Sequence, residues 1–447
     1  MTSGMVNAET IVNSLPRDTL LVDFVRFRPL PLNSNLAEVP EQYAAYVLLP
    51  LPIVAGRSQI VRVNLGLAEP VDALCDEFQR LVAVRQIGER RLNPVLNRLY
   101  SLLIAPISAA VESKDHWLVS PIGQLACVPL EALRDPATGR HLIEDKRISY
   151  VSSGREVVRL AEPTASVPTN APVVMGFPDF DLPLAAPNGG LAGSPVRPDS
   201  AAAFVAIRTP ATLSRDARGH HFDPLPATER EARSAAKLLG EDCVLRLGAN
   251  AREAELKRVV SPRILHLATH GFYLTDQEFR ATNSLPDLLA GSFGPRFGRR
   301  NANEDWENPL IRCGVALAGA NHAGGLTNAT AEDGILTGLE ASLLQLQGTE
   351  LVILSACQTG AGDVRIGEGV MSLRRAFTIA GAQSVLASHW RVSDEATSRL
   401  ITEFLRHWRA GKPRVEALRE AQLALLRSKE YSSPYFWAAF TLTGQWR

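Results

Sequence analysis

Three short apolar segments constrain this chain more than any other feature: RILHLA (263–268), LVILSA (351–356) and SVLASH (384–389). Each carries apolar residues at consecutive positions, so both of its faces are expected to be buried, and each is too short for a buried helix. Helix-period segments at 227–240, 251–260, 367–380, 394–409 and 413–427 separate or follow them. Strands buried on both faces and alternating with helices belong to a largely parallel sheet sandwiched by helices. The expected fold class is therefore α/β.

Within this half the helix ends carry their own signals. Thr228 is placed to cap helix 227–240, Glu231 stands at capping-box spacing, and Gly240 ends it. Asn250 is the expected cap of 251–260.

In open parallel sheets, chemistry gathers beyond the carboxyl ends of the strands. The first apolar strand runs into Thr269-His270-Gly271, and the second into Cys357-Gln358-Thr359-Gly360. His270 and Cys357 are 87 positions apart (357 less 270), so only the fold can bring them together. A thiol attacks as its thiolate, and an adjacent imidazole favours that form and can later protonate a leaving amine. The tetrahedral intermediate needs donors for its oxyanion, and the backbone N–H groups of Gly271 and Cys357 are the candidates. His266 lies inside its strand and is expected to face the core. Cys75, Cys127, Cys243 and Cys313 are expected to be small buried hydrophobes.

The remainder of the chain reads as supporting structure. Residues 1–19 are expected to be a tail. LLVDFVRFRPL, YAAYVLLPLPIV and IVRVNLG, between 20 and 66, look like strands of a small sheet. Segments 70–85 and 92–111 have helical spacing, the second at least as far as Pro106. HWLVSPIGQLACVPLEAL (116–133) reads as strand, turn, strand and short helix, and RISYVSS (147–153) as another strand. Two subdomains follow, at 20–165 and 166–447. Segments 181–222 and 273–309 lack periodicity and are expected to be loops. The second leaves directly from the His270 motif and is expected to be a solvated charged loop, or else to shape a substrate groove or hold the site inactive; its Arg296, Arg299 and Arg300 would be a self-cleavage site only in an enzyme that cuts after a basic residue.

Composition excludes several function classes. Lys and Arg number 47, equal to Asp and Glu, so no global field favours nucleic acid or an anionic membrane. No uninterrupted apolar run reaches the length of a membrane-spanning helix. The five cysteines are scattered and form no CxxC pair, which fits a reducing cytoplasm and argues against zinc. With no P-loop and no HExxH, no cofactor is expected.

The segments ILHLATHGF (264–272) and LVILSACQTGAG (351–362) resemble the two signature motifs of CHAT-domain proteins, which are caspase- and separase-related. The resemblance continues through 367–397 and 433–444. It begins upstream with LPATEREARSAAKLL (225–239) and YSLLIAPISAAVESKDHWLVSPIGQLACVPLEAL (100–133). It covers about residues 95–447, with weaker similarity back to about residue 20. It implies a caspase-like sheet with an N-terminal half resembling a pseudo-protease, as in separases. It implies a cysteine endopeptidase in which His270 is base and acid and Cys357 the nucleophile. Such enzymes cut specific protein substrates under the control of a partner or of tetratricopeptide repeats, in settings that include antiphage defence and cell death. Trp390-Arg391-Val392-Ser393-Asp394 resembles the separase segment that supplies an acid to the pocket for a basic P1 side chain. Asp394 is thus the candidate pocket acid, with Ser388 and Trp390 as its neighbours; Arg391 would instead suit an acidic P1. Ser393 and Asp394 also look like the start of helix 394–409. Asp363 and Glu368 flank the nucleophile loop, and Glu368 suits the positive end of the helix that follows.

Two other classes compete. One is a catalytically silent CHAT interaction module, against which the presence of both dyad residues counts. The other is a papain-like hydrolase, which expects Cys early on a helix and His later; here His comes first and both residues follow strands.

Overall fold

The computed structural model describes residues 6–29, 39–51, 59–84, 87–111, 114–162, 170–183, 214, 220–274, 308–325, 332–355, 357–358, 366–390 and 393–447. The strands are β1 (Thr19–Phe27), β2 (Gln42–Leu48), β3 (Ile60–Leu67), β4 (His116–Ser120), β5 (Arg147–Tyr150), β6 (Val173–Pro178), β7 (Val244–Gly248), β8 (Ile264–Ala268), β9 (His270–Tyr273), β10 (Cys313–Ala316), β11 (Ile335–Thr337), β12 (Leu351–Leu354), β13 (Cys357–Gln358), β14 (Ser384–Ser388) and β15 (Phe440–Gly444). Eleven of them form one sheet in the order β3-β2-β1-β4-β5-β15-β14-β12-β8-β6-β7. The pairs β14·β12, β12·β8, β8·β6 and β6·β7 are parallel, as are β1·β4, β4·β5 and β5·β15. The pairs β1·β2, β2·β3 and β14·β15 are antiparallel. The α/β class is as expected.

The principal helices named below are α1 (Ala8–Ser14), α2 (Ala68–Val82), α3 (Glu89–Leu103), α4 (Pro226–Leu239), α5 (Glu253–Lys257), α6 (Ile366–Ile379), α7 (Asp394–Arg409) and α8 (Arg414–Leu426). They explain why the central strands carry apolar residues facing both ways. Ile264, Leu351, Ile353 and Leu386 face a core shared with Ala232 and Ala235 of α4, Leu400 and Phe404 of α7 and Leu418 of α8. The alternate residues Leu265, Leu267, Val352, Leu354 and Val385 face a second core with Leu373, Ala376 and Phe377 of α6. Period-two alternation points successive side chains to opposite faces, and here both faces are covered.

The strands of segments 20–165 and 166–447 lie in this one sheet, joined where Thr443 of β15 pairs with Tyr150 of β5. The first core also runs through both segments, from Val12 to Trp446. Helix α3 and the turns after it, to Val111, are long and apolar enough to cross a membrane by length and composition. Yet Leu92, Leu96, Leu99 and Leu103 are buried in the shared core.

Some local expectations are corrected. Residues 8–14, expected within a tail, form α1; Asn7 caps it by accepting from the Thr10 N–H at 2.9 Å, and Val12 is buried. The second strand expected within 116–133 is instead a 3-10 turn, Gly123–Cys127. Thr228 does not cap α4, which starts at Pro226. Its hydroxyl donates to the Leu225 carbonyl at 2.7 Å and accepts from the Phe177 N–H at 3.1 Å. Helix α5 begins at Glu253, after Arg252 rather than Asn250.

Beside the Tyr150–Thr443 joint lies a buried acid. Glu131 is 2% exposed, the Tyr150 hydroxyl donates to it at 2.6 Å, and the Leu130 N–H donates to that hydroxyl at 2.8 Å. Burial pushes the Glu131 carboxyl up to about 7; the Tyr150 hydrogen bond and the nearby Arg374 only partly offset it. The native state therefore holds a proton here that the unfolded chain releases. The stabilisation is complete below the ordinary carboxylate range and is lost as pH rises through about 7. Glu131→Gln should flatten that decline, a difference on the order of 3 kcal/mol at pH 8. Urea titrations of both proteins between pH 5 and 8 measure it, and parallel stability curves would refute it.

Candidate active site

Strands β8 and β12 run side by side, with Leu267 opposite Leu354. Both then leave the large sheet. Thr269, 1% exposed, makes the first exit, its hydroxyl donating to the Ala316 carbonyl at 2.5 Å. At the second, the Ser355 N–H donates to the Leu267 carbonyl at 3.0 Å. The chain pairs again at once in a second sheet of order β11-β10-β9-β13. There β9 and β13 are parallel, with Cys357 the register partner of His270 and Gln358 that of Gly271. The offset of 87 that relates Leu267 to Leu354 also relates His270 to Cys357, so each strand spends the same number of residues on the crossing. Two residues distant in sequence become neighbours across a strand pair, about 4.8 Å apart in the hydrogen-bonding direction.

The His270 ring is 1% exposed. Phe180 and Phe222 lie against it, with ring centroids 5.2 and 5.7 Å from its own. Its Nε2 is 2.7 Å from the main-chain carbonyl of Asp223. A carbonyl only accepts, so Nε2 donates and carries the proton. In the neutral ring Nδ1 is then the basic nitrogen. Asn321 fixes the segment that supplies this carbonyl. Its side chain accepts from the Phe222 N–H at 2.8 Å and donates to the Phe222 carbonyl at 3.2 Å and to Asp181 at 2.7 Å, while its own N–H donates to the Phe180 carbonyl at 3.0 Å. None of Phe180, Phe222, Asp223 and Asn321 stands out in the sequence. A main-chain acceptor leaves no side-chain signature.

Gly271 sits in β9 between Val315 of β10 and Gln358 of β13. His266 is in the core as expected, its Nε2 2.9 Å from Glu231 of α4. Among the other cysteines, Cys75, Cys127 and Cys313 are buried. Cys243 is half-buried, and burial, then Asp242, pushes its thiol up to about 11, which suppresses the thiolate.

The pocket candidates divide. Asp394 opens α7 beyond the carboxyl end of β14, where Ser393 caps the helix by accepting from the Ala396 N–H at 3.2 Å. Asp394 is half-buried. Trp390, expected beside the pocket, is a core side chain instead. It is 3% exposed, donates to the Tyr435 carbonyl at 2.9 Å and meets Phe78 edge-to-face at 5.5 Å. Ser388 is 4% exposed and pairs with Phe440 of β15. Glu368 lies in the first turn of α6, as expected. Asp363, Arg391, Arg296, Arg299 and Arg300 lie outside the described residues, as does nearly all of the 273–309 loop and most of 181–222. Among the described residues, no group of three or more His, Cys, Asp or Glu is arranged to hold a metal ion.

Comparison with known proteins adds the lineage. Tetratricopeptide repeat protein 28 of Mus musculus is 27% identical over 420 residues, covering 87% of this chain and 15% of that protein. Its Homo sapiens counterpart is 26% identical over 422 residues, with the same coverage of 87% and 15%. The chain thus spans about 15% of the length of the curated relatives it matches. Among solved structures, the Saccharomyces cerevisiae separase–securin complex at 3.0 Å aligns with a TM-score of 0.40 at 10% identity, covering 98% of this chain and 30% of that one. The CHAT domain family model matches residues 93–445, which takes in every strand from β4 to β15 together with His270 and Cys357. On that match the chain belongs to the CHAT-domain family.

Proposed function

We propose that this protein is a cysteine endopeptidase in which His270 and Cys357 act as a dyad. The observation that carries the reading is the parallel β9·β13 register, with Cys357 opposite His270 at the carboxyl ends of adjacent central strands. In the proposed reaction His270 Nδ1 takes the thiol proton and Cys357 Sγ attacks the scissile carbonyl. The proton then passes to the leaving amine, and water hydrolyses the acyl-enzyme. The Asp223 carbonyl holds the ring in the tautomer this requires. Gly271 and Cys357 N–H groups are the proposed oxyanion donors. Asp394 is the proposed acid for an Arg or Lys at P1, supported by its place just beyond β14, the strand next to β12.

The substrate is a specific protein, and a protein partner or upstream tetratricopeptide repeats would gate the site. The names of the curated relatives support a link with such repeats. On family resemblance alone, the setting is a regulated response such as antiphage defence or cell death.

Acyloxymethyl ketone probes with Arg, Asp or Leu at P1 test the reading, with intact and peptide mass locating the adduct. Labelling of Cys357 by the Arg probe, absent from Cys357→Ala and His270→Ala, is the expected result. Preference for Asp or Leu would keep the peptidase and remove Asp394 from its role. A Cys357 that no probe labels, and whose reactivity toward iodoacetamide is unchanged by His270→Ala, would favour a silent interaction module.

A further inference from the structure

Behind the dyad lies a second, buried polar group that the proposed reaction does not use. His266 of β8 is 0% exposed, Glu231 of α4 is 4% exposed and Ser355, just past β12, is 4% exposed. His266 Nε2 is 2.9 Å from Glu231 Oε1 and 3.3 Å from Ser355 Oγ. A carboxylate only accepts, so the Nε2–H donates to Glu231, with the Ser355 oxygen on its flank. The pleat explains the meeting. His266 pairs with Ile353, and Ser355 is two residues beyond Ile353, so His266 and Ser355 share one face of the sheet. Helix α4 covers that face through Ala232 and Ala235, and Glu231 descends beside them.

Such a network is out of place among aliphatic side chains. Two strands that needed only burial would be served as well by aliphatic side chains, as at Ile264 and Ile353. Its location supplies a reason. His266 stands four residues before His270, and Ser355 two before Cys357. The network therefore ties together the last residues at which β8 and β12 run side by side before they cross into the small sheet. Hydrophobic packing is non-directional and tolerates small slips, whereas a hydrogen bond fixes distance and angle.

We propose that Glu231, His266 and Ser355 are positioning residues, which hold the ends of β8 and β12 at the separation that sets His270 against Cys357. The inference rests on the peptidase reading, because the geometry it preserves is that of the dyad. An imidazole favours a thiolate by an attraction that weakens with distance. Loosening the two strand ends should therefore raise the thiol's apparent pKa and slow its reaction at neutral pH, with the fold intact.

The test is the rate of alkylation of Cys357 by iodoacetamide as a function of pH, read by peptide mass in the full chain. Wild type is compared with the double variant Glu231→Leu/His266→Phe, which removes both partners at once and leaves no buried carboxylate unpaired. Glu231→Gln keeps an acceptor and should behave as wild type. The double variant should show the thiolate limb moved upward by about half a unit or more, roughly a threefold loss of rate at pH 7. Circular dichroism and melting report the fold separately. If the double variant does not fold, Ser355→Ala carries the test, with a smaller shift in the same direction expected. A folded variant with the wild-type profile would overturn the positioning role while leaving the dyad standing. A wild-type profile like that of an ordinary thiol, unmoved by His270→Ala, would overturn the dyad itself and this inference with it.

Discussion

Cys357→Ala should lower kcat/KM by at least about three orders of magnitude, and His270→Ala by a comparable factor, with the double variant hardly worse than either. The near-equality follows from the proposed chemistry. Without the thiol there is no acyl-enzyme; without the imidazole the thiol is mostly protonated at neutral pH and no acid meets the leaving amine. Groups that act as one unit do not contribute additively. Both changes should leave the fold intact. His270 is enclosed by Phe180 and Phe222 and touches the Asp223 carbonyl, so its loss removes local contacts beside the small sheet and leaves the eleven-stranded sheet alone. The measurement is turnover of a peptide or protein substrate by variants whose melting matches wild type. Residual activity within tenfold of wild type in either single variant would remove the dyad as the catalytic unit.

How far the sequence foretold this arrangement depends on what kind of contact each part uses. The strands at 263–268, 351–356 and 384–389 are legible because two cores, one on each face, demand apolar residues pointing both ways. The adjacency of His270 and Cys357 could be inferred from the parallel topology that those strands imply. The small sheet could not: Cys357–Gln358 is two residues long, and His270–Tyr273 shows no alternation to read. The orienting carbonyl at Asp223 was equally hidden, since any residue offers a carbonyl and the one used is chosen by the path of the chain. Trp390 misled for the opposite reason. Its place in a separase-like segment suggested a pocket, whereas a large indole with one donor is also well satisfied in a core beside Phe78 and the Tyr435 carbonyl.

Lys257→Met should destabilise the protein by about 3–5 kcal/mol at pH 8, because it leaves buried carboxylates without their cation. Lys257 Nζ bonds Glu253 of the same helix, Glu340 at 2.9 Å and Glu332 at 3.2 Å. The Lys257, Glu253 and Glu340 side chains are 8%, 2% and 9% exposed. Burial opposes the ammonium, but the surrounding carboxylates outweigh it and hold its pKa above the ordinary lysine value. The acids are in excess, and their own titration shows it. Burial first, then Glu340 and Glu332, hold Glu253 well above the ordinary carboxylate range, and burial raises the neighbouring Asp333 to about 7. Because both folded-state values are raised, these groups stabilise the fold most below the ordinary carboxylate range and lose that contribution as pH climbs through the raised values, about 7 for Asp333. Removing the lysine should therefore cost less at pH 5.5, where the acids can take up protons, than at pH 8. The damage should also begin locally. Glu253 accepts from the Gly334 N–H at 3.1 Å, and Glu340 accepts from the Thr337 N–H at 3.0 Å, so the cluster pins β11, the outer strand of the sheet that carries His270. In Lys257→Met, hydrogen exchange should quicken at 335–337 and at the adjoining 313–316 before it does in β8 and β12. Urea titration at both pH values measures the energy and exchange mass spectrometry the order. A loss under about 1 kcal/mol, equal at pH 5.5 and 8, would mean that the carboxylates find other partners and that the lysine does not hold β11.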